Sequence, residues 1–167
     1  PQSLVKHSST KASALESSGI TVSGVGNLLT HIAKCCRPVP GDDIMGFITQ
    51  GRGISVHRLD CEQLSNALNQ QPEREVEVQW GQKENENQQF YQVKVQIIAM
   101  DRQGLLRDVS TIISNERVSI VGVESHSDSS KQSMVMSITM ETPNSDTLSK
   151  VIGKLLQLED VGEVRRL

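Results

Sequence analysis

The segment YQVKVQIIA, residues 91–99, decides the fold of the second half of this chain. Apolar side chains occupy alternate positions from Tyr91 to Ala99, with Gln and Lys between them, and this pattern predicts a strand with one buried face. Residues 101–104 then turn the chain into a stretch whose apolar residues recur at helical spacing between Leu105 and Ile113. The change from strand spacing to helix spacing marks a β–α unit.

The rest of this half repeats the alternation between strands and helices. It predicts strands at 118–124, 134–140 and 161–165, and a second helix that opens at Pro143 and Asn144. The resulting order βαββαβ predicts a ferredoxin-like sandwich, in which four antiparallel strands carry two helices on one face. The free sheet edge and the methionines of the third strand predict self-association as a homodimer; alternatively, these methionines pack inside the core.

The first half has weaker patterns and predicts a small α+β unit. A turn containing Gly51 and Gly53 joins two predicted strands, and Asp60 is the predicted N-cap of the helix that follows. The predicted elements, in chain order, are a strand at 20–22, a short helical turn at 28–34, strands at 44–49 and 53–58, a helix at 61–69 and a strand at 76–80.

Polar stretches delimit these two domains. Residues 1–19 are rich in Ser, Thr and Lys and predict a flexible N-terminal end or linker, while residues 81–89 contain no apolar side chain and predict a second linker. We therefore expect one domain at 20–80 and another at 90–167, each near the lower size limit for a self-sufficient core. The initial Pro1 suggests a fragment of a longer protein.

Composition excludes some functional classes. The 167 residues carry a formal net charge of −3, so no global positive field draws the chain to nucleic acid, and any RNA contact would be a local patch. No apolar stretch is long enough to span a membrane, and no membrane partner is expected. The three cysteines, an odd number, favour a reducing compartment over a disulfide framework, and the expected location is cytoplasmic.

Those cysteines form a candidate metal site together with a histidine. Cys35, Cys36, His57 and Cys61 supply the four thiolate and imidazole ligands that a tetrahedral zinc ion prefers, with a kink at Pro38 bringing the adjacent pair together. His31, at helical spacing from Cys35, is an alternative fourth ligand. Two other interpretations remain open: small buried side chains in a metal-free fold, and a redox-active thiol set.

Three stretches carry a family resemblance: CCRPVPGD at 35–42, GFITQGRGISVHRLDC at 46–61 and DRQGLLRD at 101–108. They closely resemble the C-terminal regulatory end of the long RelA/SpoT stringent-response enzymes, and more closely the RelA branch, which makes (p)ppGpp. The resemblance implies a zinc-finger-like, conserved-cysteine domain followed by an ACT domain. It also implies a non-catalytic fragment of a GTP pyrophosphokinase, an ATP:GTP 3'-diphosphotransferase, whose synthetase and hydrolase domains lie upstream.

The same resemblance implies partners. It points to docking on ribosomes that hold uncharged tRNA, with contacts to ribosomal RNA and tRNA during amino acid starvation. The local footprint would be cationic, formed by Lys34, Arg37, Arg52 and Arg58, with Arg52 at a turn tip placed to reach a phosphate. The alternative is an ordinary solvated surface, since acidic residues at 42, 43 and 60 lie nearby in the sequence.

The turn that begins at Asp101 has two interpretations. In many ACT domains such a turn binds a small amino acid, and Gly104 would let a carboxylate approach the helix N-terminus next to Leu105 and Leu106. The alternative, which we favour, is that Gly104 simply permits a tight turn between strand and helix. Branched-chain amino acid sensing or oligomerisation is accordingly the second function for this domain.

Overall fold

The structure is a computed structural model and describes residues 20–22, 29–81 and 89–167. The predicted N-terminal linker and nearly all of the predicted linker at 81–89 lie outside the described residues. Two compact units are formed. Among the described residues, the first unit contains 20–22, 29–32 and 44–81, and the second contains 33–43 and 89–167.

The first unit is built from short strands and one helix. Strands β2, β4, β3 and β5 form a sheet in that order, with β2 parallel to β4 and the other neighbours antiparallel, while β1 pairs with β6. The elements are β1 (Ile20–Val22), β2 (Thr30–Ile32), β3 (Ile44–Ile48), β4 (Ile54–Arg58), α1 (Glu62–Gln70), a 3-10 turn (Pro72–Arg74), β5 (Glu75–Val76) and β6 (Val78–Trp80).

Alternation along β4 separates the core of this unit from its polar face. Ile54 and Val56 are completely buried and pack with Val78 in a small apolar cluster. Because neighbouring residues of a strand face opposite sides, Ser55 and His57 point away from that cluster. Strand β4 therefore supports both the core and the site described below.

Three local predictions for this unit were wrong. Residues 30–32 form a strand instead of a helical turn, because the Leu29 carbonyl accepts a hydrogen bond of 2.9 Å from the Ile54 amide and starts a parallel ladder. Asp60 is not the N-cap of α1. Cys61 holds that position, with extended backbone and no capping by a side chain, while the Asp60 carboxylate pairs with Arg58. The strand predicted at 76–80 is split into β5 and β6, which belong to different sheets.

The second unit confirms the predicted βαββαβ order. Its sheet has the strand order β10-β7-β9-β8 with every pair antiparallel, which is the ferredoxin-like arrangement within an α+β protein. The elements are β7 (Tyr91–Met100), α2 (Leu105–Asn115), β8 (Ser119–Asp128), β9 (Ser133–Thr142), α3 (Ser145–Leu156) and β10 (Val161–Arg166).

Strand β7 contributes its inward-facing side chains to the core of the second unit. Its central residues Val95 and Ile97 are fully buried, as the alternating pattern predicts. Of the three methionines considered for self-association, Met136 and Met140 are buried in this core and Met134 is half-buried, so the first two are not part of an open surface. The fully buried residues that fill it from the helices are Leu105, Val109, Ile113, Leu148, Val151 and Leu155.

Candidate metal centre

Four side chains with metal-binding atoms converge in the described part of the chain. Cys35, Cys36, His57 and Cys61 each offer one ligand atom, and these atoms all lie within 4.8 Å of one another. Cys36 and Cys61 are buried, the other two are half-buried, and none of the three cysteines forms a disulfide bond. These are the four residues that the sequence singles out as zinc ligands.

The adjacent cysteines meet the geometric demand of a single ion. Their sulfur atoms lie 3.9 Å apart. A tetrahedral zinc ion with Zn–S bonds of about 2.3 Å separates its sulfur ligands by about 3.8 Å. The kink lies one residue earlier than expected, at Arg37 instead of Pro38: Arg37 has a left-handed φ of 45° and its amide donates to the Ala33 carbonyl at 3.0 Å. This turn lets both neighbouring thiols face the same point.

The imidazole of His57 is oriented by a hydrogen-bonded relay. The Ser55 hydroxyl, on a residue only 7% exposed, lies 2.9 Å from Nε2 of His57 and donates to the Phe47 carbonyl at 3.4 Å. In the tautomer with hydrogen on Nε2, the Ser55 hydroxyl accepts from Nε2–H and the lone pair of the ring is on Nδ1. In that tautomer Nδ1 would be the nitrogen that binds a metal ion, which is the usual arrangement of ligating histidines.

Burial acts on the same imidazole. It lowers the pKa of His57, and the neighbouring His31 lowers that pKa further because two positive rings would repel each other. A neutral imidazole is the form that binds metal. His31 itself is exposed on β2 and lies outside the group of four formed by the described residues, so it does not replace Cys36 as a ligand.

Cys61 lies at the N-terminus of helix α1. As the N-cap of α1 it follows a turn in which its amide donates to the Arg58 carbonyl at 3.0 Å. The start of α1 therefore fixes the position of this side chain beside the other three candidate ligands.

The donor set fits zinc. Three sulfurs and one imidazole nitrogen are the soft and borderline ligands that a tetrahedral zinc ion prefers, and these four residues would hold it. With four protein ligands such a site would have no position left for water or substrate, as in structural sites. The cluster can therefore bind a metal.

The four candidate RNA-contacting cations are not equivalent. The Arg37 guanidinium donates to the Gln92 amide oxygen at 2.7 Å, and Arg58 forms an ion pair of 2.9 Å with Asp60. Lys34 and Arg52 are exposed. Arg52 stands between two glycines with positive φ, and its amide donates to the Thr49 hydroxyl at 3.2 Å. Lys34 and Arg52 are therefore the two that offer their charge outward.

The candidate amino-acid turn is arranged as a tight connection. Gly104 adopts a left-handed φ of 81° directly before α2, and Leu105 is 1% exposed in the core, while Asp101 and Leu106 are exposed. The amide of Asp101 donates to the Gln132 carbonyl at 2.9 Å. Leu105 thus has a core role, and the geometry gives Gly104 the turn-forming role that we favour from the sequence.

Sequence reasoning missed an ion-pair cluster beside this turn. Arg102 donates to the Asp108 carboxylate at 2.7 Å and to the Asp160 carboxylate. Its hydrogen bond lowers the pKa of Asp108, and the two carboxylates raise the pKa of Arg102. Asp160 lies 58 positions from Arg102 in the chain, so no local pattern could have identified the pairing.

The site and the folds together define the class of protein: an α+β protein whose N-terminal region carries a cluster of three cysteines and a histidine, followed by a ferredoxin-like βαββαβ domain. Residues 20–81 match the RelA/SpoT RIS domain, and residues 87–166 match the ACT domain. The chain is 51% identical over 148 residues to the GTP pyrophosphokinase of Escherichia coli K12, a match that covers 89% of this chain. The chain therefore belongs to the RelA/SpoT family.

Two further similarities accompany this match. The bifunctional (p)ppGpp synthase/hydrolase RelA of Mycobacterium tuberculosis H37Rv is 38% identical over 149 residues, which is 89% of this chain and 20% of that protein. A crystal structure of the ACT domain from the GTP pyrophosphokinase of Chlorobium tepidum is 19% identical, with a TM-score of 0.43, and covers 47% of this chain and 100% of that one.

The present chain spans 20% of the length of the E. coli relative, and the two family matches of this chain are to a RIS domain and an ACT domain. Among the described residues no helix is long and apolar enough to cross a membrane.

Proposed function

We propose that this chain is the non-catalytic regulatory end of a RelA-type GTP pyrophosphokinase. In this proposal residues 20–81, the RIS domain, form a zinc-stabilised module that docks the enzyme on ribosomes carrying uncharged tRNA. The observation that carries it is the convergence of Cys35, Cys36, His57 and Cys61 within 4.8 Å in a chain of this family. The catalytic activity belongs to the remainder of a protein of which this chain is about a fifth by comparison with its relatives.

Zinc has a structural role in this proposal. A closed Cys₃His site supplies folding free energy, on the order of 10 kcal/mol for a small zinc domain at neutral pH. Much of the first unit consists of strands of two to five residues, and its fully buried cluster is small. A metal therefore adds stability where apolar burial is limited.

The RNA contact is assigned to the outward-facing cations. Phosphate recognition needs a charge that is open to solvent, and Lys34 and Arg52 are exposed, whereas Arg37 and Arg58 are held by Gln92 and Asp60. We therefore rank Arg52 and Lys34 above the other two as ribosome contacts. An exposed turn tip such as 50–53 also adapts readily to an irregular RNA surface.

Two measurements test the proposal. Elemental analysis of the natively purified chain is expected to give one zinc per molecule, and Cys36→Ser is expected to lose most of it. Absence of zinc from the native protein would overturn the metal assignment. For docking, the charge reversal Arg52→Glu is expected to weaken co-sedimentation with ribosomes by about tenfold at moderate salt, because each lost phosphate contact removes a favourable electrostatic term.

The matched control for docking is Lys131→Glu, which reverses an exposed cation in the turn between β8 and β9. It leaves the proposed footprint intact and is expected to bind ribosomes as the parent chain does. Equal binding by Arg52→Glu, Lys34→Glu and the control would show that the footprint is placed wrongly.

A further inference from the structure

The loop that carries Cys35 and Cys36 is part of the same compact unit as the ACT domain. Residues 33–43 and 89–167 form one unit. The loop contains no helix or strand, and its backbone takes positive φ at Arg37 and Gly41. An irregular segment of this kind needs external contacts to hold two ligand thiols in a fixed place.

Arg166, in the closing strand β10, supplies the most extensive of these contacts. Its Nη1 donates to Oδ1 of Asp42 at 2.8 Å and its Nη2 to Oδ2 at 3.0 Å, so the guanidinium and carboxylate form a two-pronged pair. Nη2 also donates to the Arg37 carbonyl at 3.1 Å. The two side chains are only 18% and 12% exposed, which reduces screening by solvent and salt.

The Arg166–Asp42 pair is continued by hydrogen bonds within the loop. Oδ2 of Asp42 also accepts the Val39 amide at 2.7 Å, and the Asp42 amide donates to the Val39 carbonyl at 2.9 Å. One guanidinium thus holds the turn at 39–42 and the carbonyl of the residue that follows Cys36. A side chain in the last strand of the ACT domain is therefore linked to the backbone beside a ligand cysteine.

Two other contacts seat the loop on the same domain. The Ser145 amide, at the start of α3, donates to the Pro40 carbonyl at 2.8 Å. Gly41 has a φ of 101°, which favours glycine, and a Cβ atom there would lie 2.1 Å from the Ser145 hydroxyl oxygen, so the loop backbone passes close to the start of α3. The loop is consequently held at both its centre and its end.

We propose that Arg166 is a positioning residue for the Cys35–Cys36 pair, so that the closing strand of the ACT domain sets the metal affinity of the cluster. Preorganised ligands bind more tightly because less conformational freedom is lost on binding. The chemistry of the pair calls for arginine: a lysine offers a single ammonium group and cannot reproduce the fork that spans both carboxylate oxygens and a carbonyl. The expected effect on metal affinity rests on the proposed zinc site. The role of Arg166 in fixing the loop at 33–43 does not depend on a bound metal.

The experiment compares Arg166→Gln with Arg165→Gln in the full chain. Arg165 is the neighbouring arginine of β10; it is exposed and donates to Gln96, so its loss is matched in charge but leaves the loop contacts in place. In zinc-free protein, Arg166→Gln is expected to speed amide hydrogen exchange at Val39 and Asp42 by about tenfold, the effect of losing one charged hydrogen-bonded pair. The control is expected to keep the parent rates.

The second readout is release of bound zinc to a coloured chelator. Arg166→Gln is expected to lower zinc affinity by about tenfold, and Arg166→Lys by less, because it restores one of the charged contacts. Unchanged exchange in β7, at Val95 and Ile97, shows that the ACT domain is still folded. If Arg166→Gln disturbs β7, Asp42→Asn replaces it, since that variant weakens the same pair from the other side.

The outcomes separate the two proposals. Parent-like loop exchange in Arg166→Gln with β7 intact overturns the positioning role, whether or not zinc binds. If the parent chain binds no zinc, the metal proposal fails while the exchange measurement still decides whether Arg166 holds the loop. Faster loop exchange with unchanged zinc affinity in a zinc-binding parent overturns the claim that the closing strand sets metal affinity.

Discussion

At the scale of single residues, the candidate metal cluster has a polar neighbour outside its four candidate ligands. The Ser55 hydroxyl contacts both Nε2 of His57, at 2.9 Å, and the Phe47 carbonyl, at 3.4 Å. A histidine without such a partner can rotate or exchange tautomers. Ser55 would therefore hold the His57 ring in its orientation without binding the ion itself.

The first prediction concerns this hydroxyl. Ser55→Ala is expected to lower zinc affinity by about tenfold, at the lower end of the range for partners of metal-bound histidines. Competition with a chelator measures the affinity, and Ser65→Ala, on the exposed side of α1, is the control. Nitrogen NMR of labelled histidine adds a direct check: a metal bound through Nε2 of His57 would contradict this role of Ser55, because Nε2 would then be unable to donate to the hydroxyl.

The second prediction concerns the Arg102 cluster. Because Arg102 lowers the pKa of Asp108, the folded chain binds that proton more weakly than the unfolded chain does. The stabilisation that the Arg102–Asp108 pair contributes is therefore complete above the normal carboxyl pKa of about 3.9. It is lost as the pH falls through the lower pKa that Asp108 has in the folded chain. Carboxyl carbon NMR is expected to show a raised Asp108 pKa in Arg102→Gln.

The control for that titration is Arg107→Gln. Arg107 also contacts Asp108, at 3.5 Å, but its side chain is 79% exposed. Its charge is largely screened by water, and we expect a smaller rise in the Asp108 pKa than Arg102→Gln produces. Equal shifts for the two variants would show that the half-buried fork of Arg102 has no special role.

At the scale of secondary-structure elements, strand β3 is limited by the space around one glycine. A Cβ atom at Gly46 would lie 2.8 Å from methyl groups of both Ile54 and Val76 and 2.9 Å from one of Val78. Ile54 and Val78 belong to the core cluster of the first unit and Val76 packs against it, so these methyl groups cannot all move away. The close approach of the β3 backbone to that cluster therefore requires glycine.

The third prediction follows from this contact. Gly46→Ala is expected to destabilise the chain by about 1–3 kcal/mol through overpacking. The matched control is Gly153, exposed in the middle of α3, where an added Cβ atom would meet no neighbouring atom within 4 Å. Gly153→Ala is expected to stabilise by about 0.5–1 kcal/mol, because alanine favours the helix. Chemical unfolding measures both; destabilisation by both would argue against packing as the cause.

Elements with a strong internal period are the ones that sequence predicts well. Strand β7 follows its alternation from Tyr91 to Met100, and α3 begins where Asn144 accepts the Thr147 amide. Strand β2 could not be predicted because three residues carry no period and depend on a distant partner, β4. Cys61 displaced Asp60 as N-cap because the Asp60 carboxylate is engaged by Arg58.

At the scale of the whole chain, the ligand set was accessible to sequence reasoning but its support was not. Thiols and imidazole are chemically distinctive, so Cys35, Cys36, His57 and Cys61 stand out even when spread along the chain. Asp42 and Arg166 are ordinary charged residues 124 positions apart, and the local sequence around either of them does not predict that they pair. An ion pair between residues so far apart in the sequence can be recognised only from the folded structure, in which the two residues are brought together.

The last prediction concerns the free edge of the ACT sheet. Strand β8 is terminal in the sheet order, runs for ten residues and exposes Val121 and Val123 at 52% and 40%. A long edge with exposed apolar side chains invites pairing with another strand, and a second copy of this chain supplies an identical one. We therefore expect concentration-dependent dimers in analytical ultracentrifugation, weakened by the double variant Val121→Lys/Val123→Lys. Leu156→Lys, which changes a comparably exposed residue at the end of α3, should leave the dimer intact; a monomeric parent chain at every concentration would refute edge pairing.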